Sequence, residues 1–169
     1  MNKRVLTVLP YHASWPEKFK SEQVLIARIL PLKNVTIEHI GSTSVIGLMA
    51  KPIIDILVEV DCLSVFEKYA VAMSAIGYVT KGENGIVGRQ YFQKGDENRS
   101  FHLHGFLRGD IHARRHVAYR NYLRCHPDAA RQYGELKQQL VKKSANDMNC
   151  YMKGKDSFIQ HHLLKAMSQ

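Results

Sequence analysis

Apolar residues recur along the chain at two spacings, and the switches between them mark out its elements. Phe19, Val24, Ile26, Ile29 and Leu30 fall at helical intervals behind Ser14 and Pro16, which predicts a helix over 15–30 that Pro31 ends. The stretch 35–40 is rich in β-branched residues and stops at Gly41, so it reads as a strand entering a tight turn. The segment 52–60, PIIDILVEV, is almost continuously apolar, as a strand covered on both faces is, and is expected to be central in its sheet. Leu63, Phe66, Tyr69, Ala70, Met73 and Ile76 return to the helical period and predict a helix over 63–76 with Gly77 as its C-cap. Short β-prone runs follow at 78–81, 89–94 and 100–107, separated by glycine-rich turns and by Gly-Asp-Glu-Asn, the pattern of a hairpin or meander. From Ile111 the period is helical again: one helix to Cys125, a restart at Pro127-Asp128, and a last helix over 155–167.

The resulting order, αββαβββ and then helices, predicts an α/β (α+β) fold: a mixed β-sheet flanked by helices, with a helical C-terminal third. Consecutive strands joined by short turns are antiparallel, which disfavours a doubly wound parallel sheet. At 45% hydrophobic and 23% charged, the 169 residues have the makeup of one compact domain, 1–169, large enough to fold without disulfides or a structural metal. Cys62, Cys125 and Cys150 are odd in number and widely spaced, which argues against a disulfide framework and a zinc ribbon and fits a reducing cytosol. No apolar run is long enough to span a bilayer, so the expectation is a cytoplasmic protein without a membrane partner.

A net charge of +9 favours phosphate-bearing partners, although the many basic residues after Arg108 recur at helical spacing and read equally as solvated helix faces. Gly41-Ser42-Thr43-Ser44, directly after a strand, offers unobstructed backbone N–H groups and hydroxyls suited to phosphate oxygens, or simply a turn. Asp55 changes that weighing, because a carboxylate within an apolar strand requires a partner: Lys51, a nearby Arg, or a divalent metal. His102 and His104 alternate onto one strand face and, with Asp55 and Glu38, form a candidate set for Mg, Mn or Zn. His39 is expected instead in the core beside Val35 and Ile37, and Tyr119, Tyr122 and Tyr133 recur at core spacing.

HIGSTSVIGLMAKPIIDI closely resembles the signature of the GrpB family, in the nucleotidyltransferase superfamily. YHASWPEKF, Gly77-Tyr78, GENGIVGRQYFQKG over 82–95, FHLHGF over 101–106 and YRNYLRCHPDAARQYGELKQQL over 119–140 resemble the same family in order and spacing. The resemblance implies a nucleotidyltransferase-like fold with a Gly-Ser turn after one strand and an acidic residue on the next. It also implies a coenzyme or nucleotide context, since similar domains occur fused to dephospho-CoA kinases. In active members of the superfamily two carboxylates at alternate positions of one strand hold metal ions. Asp55 takes the first of these places, but the second falls on Leu57, and Glu59 lies about 13 Å along the strand from Asp55, too far to share its metal. Ile46 and Val87 stand where the family commonly has proline.

Arg89 and Lys94, inside family-like stretches, join Gly41, Ser42, Thr43 and Lys51 as candidate phosphate contacts, while Glu83 reads as a loop charge. Three functions fit: metal-dependent transfer of a nucleotidyl group to a small acceptor with Asp55 catalytic; non-catalytic binding of a nucleotide, coenzyme or other phosphate ligand; and, on net charge alone, association with RNA.

Overall fold

The computed structural model describes residues 5–30, 33–95 and 99–168. Helix α1 (Ser14–Ile29) is followed by strand β1 (Thr36–Ile40), a single 3₁₀ turn (Ser42–Ser44) and strand β2 (Ile54–Val60). Two short helices, α2 (Ser64–Lys68) and α3 (Ala70–Ala75), lead into strands β3 (Tyr78–Thr80), β4 (Gln90–Lys94) and β5 (Phe101–Leu107). Helices α4 (Ile111–Cys125), α5 (Pro127–Lys143) and α6 (Met148–Met167) complete the order. None of the described helices is long and apolar enough to cross a membrane.

The strands form one five-stranded sheet in the order β1-β2-β5-β4-β3. β2 and β5 run parallel and the other pairs antiparallel, so β3, β4 and β5 form the expected meander. β2 is interior, between β1 and β5, but β5 rather than β2 holds the middle place. A pleated strand sends successive side chains to opposite faces, and here both faces are covered. Ile54, Ile56, Val58 and Val60 pack with Ile26 of α1, Phe66 of α2 and Met73 of α3. On the other face Leu57 joins Ile40, Phe106 and Ala113 beneath α4. A third apolar cluster, Val45, Leu48, Tyr122, Ala130 and Tyr133, ties the loop after the 3₁₀ turn to the C-terminal helices.

Two helices depart from the sequence pattern. The expected helix over 63–76 is interrupted at Tyr69 (φ −103°, ψ 13°), yet the Met73 N–H still reaches the Tyr69 carbonyl at 2.9 Å. Phe66 and Met73 therefore stay on the core side across the break. The last helix begins at Met148 rather than at residue 155, because Asp147 accepts hydrogen bonds from the N–H groups of Asn149 (2.8 Å) and Cys150 (3.3 Å) and caps it there. Pro31 and the central Asp-Glu-Asn of the turn before β5 lie outside the described residues.

A glycine stands at position 105 within β5 because Phe66 occupies the space above it: a Cβ there would stand 2.4 Å from the Phe66 ring. Gly105→Ala is expected to destabilise the protein by about 2–3 kcal/mol through overpacking, read as a lower urea midpoint at unchanged slope.

Candidate functional site

On the α4 side of the sheet, α4 covers Leu57 and Phe106 but leaves the strand ends bearing Asp55 and His102 open. This opening is the floor of a cleft of about 1780 Å³ whose far wall is built by α5 and α6. Pairing explains the floor. Asp55 stands opposite His102 across the β2–β5 pair, and Tyr91 and Gln93 of β4 stand opposite His104 and His102, so all five share one face.

Asp55 Oδ1 lies 3.2 Å from His104 Nε2 and 3.4 Å from His102 Nδ1. Arg89, which can only donate, faces His104 Nδ1 at 3.4 Å, and His104 Nε2 gives its hydrogen to Asp55. His102 Nε2 is buried and has no hydrogen-bond partner among the described residues. Burial alone would raise the Asp55 carboxyl pKa, but the hydrogen bonds and charge of the two histidines outweigh it and hold the group well below the usual carboxylate range. The carboxylate lies directly against the turn: Gly41 has φ 72°, and a Cβ there would be 2.6 Å from Asp55 Oδ2.

The opposite wall is cationic. Lys137 is 2% exposed, and its ammonium donates to Ser42 Oγ at 3.0 Å and to the Met49 carbonyl. None of the described carboxylates is paired with it. Burial, reinforced by Lys155 and Lys51, pushes its pKa down to about 7. Lys155 is lowered to about 8 by burial, against the pull of Asp55. Lys51 donates to the Met148 sulfur at 3.0 Å and lies over the Tyr151 ring. With Lys81, Arg89 and Arg99, six cations line the cleft, and among the described residues Asp55 is its one carboxylate.

Of the residues singled out in the sequence, the cleft brings together Ser42, Thr43, Lys51, Asp55, Arg89, His102 and His104, with Gly41 beneath Asp55. Thr43 contributes little there: it is 1% exposed and its hydroxyl is bonded to His39 Nε2 at 2.9 Å. His39 in turn is stacked on Phe19 of α1, and burial lowers its pKa to about 4. Two residues fall elsewhere. Lys94 pairs with Phe101 in the sheet and so faces α1, where it forms a 2.7 Å ion pair with the buried Glu22. Glu38 shares the face of Asp55 but stands opposite Leu57, is held by Arg120 at 2.6 Å, and lines a separate hollow of about 480 Å³ with Glu59. Glu83 accepts the Gly88 N–H at 2.7 Å, a loop role.

Of the cations that line the cleft, the sequence does not point to Lys81, Arg99, Lys137 or Lys155 as site residues. Lys137 carries a signal: Ala130, Tyr133, Gly134 and Lys137 form the buried stripe of α5, where a lysine is out of place. Lys155 lies on α6 a helical turn beyond Tyr151, and both follow from the Asp147 cap that hydropathy does not reveal.

The model of the family described as GrpB protein matches residues 5–165. The YqkA protein of Bacillus subtilis is 40% identical over 158 residues, which cover 94% of this chain and 46% of that protein; the chain thus spans less than half the length of this relative. The crystal structure of the conserved protein GrpB from Enterococcus faecalis superposes with a TM-score of 0.90 at 39% identity, covering 96% of this chain and 98% of that one. The Cid1 poly(U) polymerase with MgGTP bound, at 16% identity and a TM-score of 0.53 over 80% of this chain and 43% of that one, shares the nucleotidyltransferase-like fold alone. With the family match running nearly from end to end, the chain belongs to the GrpB family.

Proposed function

We propose that the cleft binds a phosphate-bearing ligand of the nucleotide class and neutralises its phosphates with lysine and arginine side chains rather than with a pair of metal ions. The observation that carries this reading is Lys137: a buried ammonium whose resident partners are a hydroxyl and a carbonyl, facing a cleft. Burying a cation without an anion is expensive, and a phosphate oxygen supplies the missing charge. Ser42 stands beside it with a hydroxyl for the same ligand, and Lys51 and Lys155 flank it. The like-folded polymerase, whose crystal structure contains MgGTP, supports nucleotide as the class.

The two-metal arrangement of nucleotidyl transfer does not fit these residues. Leu57, in the second carboxylate position, is fully buried among Ile40, Phe106 and Ala113. Asp55 is saturated on Oδ1 by two histidines, and the described residues contain no group of three His, Cys, Asp or Glu side chains placed to hold an ion. A single metal resting on Asp55 with the ligand's own oxygens is the form of metal dependence this donor set supports.

The test is thermal denaturation with nucleotides and coenzyme A, each with and without Mg²⁺, Mn²⁺ or Zn²⁺. A shift with ligand alone, little increased by metal, is expected; no shift under any condition overturns the reading, and one that strictly requires metal overturns the lysine-based form of it. Lys137→Met is expected to leave the fold at least as stable, because it removes a buried charge, while weakening ligand binding by about tenfold or more. Affinity should fall between pH 6 and 8 as the free Lys137 ammonium, its pKa about 7, loses its proton. The same titration on Lys137→Met isolates this effect from ionisation of the ligand, and a slope unchanged by the substitution would count against it. Leu57→Asp, which restores the second acid, is expected to lower stability by about 3 kcal/mol or more, measured by urea denaturation, without creating metal-dependent transfer.

A further inference from the structure

Three tyrosines line the cleft, and none offers a ring face to a ligand. Tyr151 is 1% exposed, with the ammonium groups of Lys51 and Lys155 at 4.3 and 4.7 Å from its ring centre. Tyr133 is held between Lys137, 4.4 Å from its centre, and Phe158, which stacks on it at 5.1 Å and 8°. Tyr91 has the Arg89 guanidinium 4.6 Å from its centre and the edges of His102 and His104 beside it.

We propose that these rings are pedestals for the cations, and that the cleft reads a chain of condensed phosphates while remaining indifferent to the base attached to it. The inference rests on the phosphate-binding reading above and narrows its ligand class. A base is selected by stacking on a flat side chain, an aromatic ring or a guanidinium plane, together with contacts to its edge; the imidazoles of His102 and His104 are themselves engaged by Asp55 and packed against Tyr91. In this cleft the tyrosine faces are already occupied by cation–π contacts, which fix long lysine side chains in place and direct their charge towards the ligand. The exposed large apolar side chains in the cleft are Val5, Met148 and Met152, none of which has a π-face. What the walls present is clustered positive charge, the complement of linked phosphoryl groups, whether inorganic or the tail of a nucleotide.

Calorimetric titration of the full chain with inorganic tripolyphosphate, ATP, GTP, CTP and UTP tests this. All five are expected to bind within about threefold of one another, whereas a base that stacks would separate its nucleotide from tripolyphosphate by about tenfold or more. A preference of that size for one nucleotide overturns the inference and leaves the phosphate-binding reading standing; absence of binding by all five overturns both. The positioning role of Tyr151 has its own readout. Tyr151→Phe keeps the π-face and is expected to bind as the unaltered protein does, and Tyr151→Leu to weaken all five ligands alike by about fivefold or more, with both variants folded by circular dichroism. Equal losses in the two variants overturn the pedestal assignment.

Discussion

The period-two alternation of β2 is the constraint on which the rest of the molecule depends. One set of its side chains, Ile54 to Val60 at every second position, closes the core with the first three helices. The other set is divided: Leu57 seals the sheet under α4, and Asp55 is left at the edge of that seal, facing the cleft. A shift of one residue in the pairing of β2 would carry the acid into the core and the isoleucines into the cleft, so packing and site chemistry enforce the same register.

The same alternation accounts for the departure from the two-carboxylate pattern. Position 57 belongs to the apolar seal, and an acid there would be surrounded by Ile40, Phe106 and Ala113. The charge that metal ions would contribute in a two-metal site has its counterpart across the cleft, on α5 and α6, where Lys137 and Lys155 have pKa values of about 7 and 8 lowered chiefly by burial. These helices bring positive charge to one wall of the cleft, and His102 and His104 stabilise the carboxylate on its floor.

The strands, the meander and the first C-terminal helices were legible because hydropathy reports which side of an element is covered. The turn at Gly41 and the conspicuous Asp55 were legible for the same reason, each breaking a pattern. Lys94 has family-like surroundings in the sequence, but its parity with Phe92 rather than with Tyr91 and Gln93 sends it to Glu22. Glu38 does lie on the face of Asp55, but Arg120, which holds it, is 82 residues away in sequence and no local pattern reveals that pair. The start of α6 was missed because a single carboxylate, not hydropathy, sets it.

That carboxylate has a reach beyond its own turn. Asp147 fixes where α6 begins, and the helical repeat then determines that Tyr151 and Lys155 come round to the cleft. The makeup of this wall is therefore set by a residue outside it: a change that moved the cap by one position would rotate the wall by about 100° and replace its lysine and tyrosine by neighbours, altering the chemistry of the cleft without substituting any residue within it.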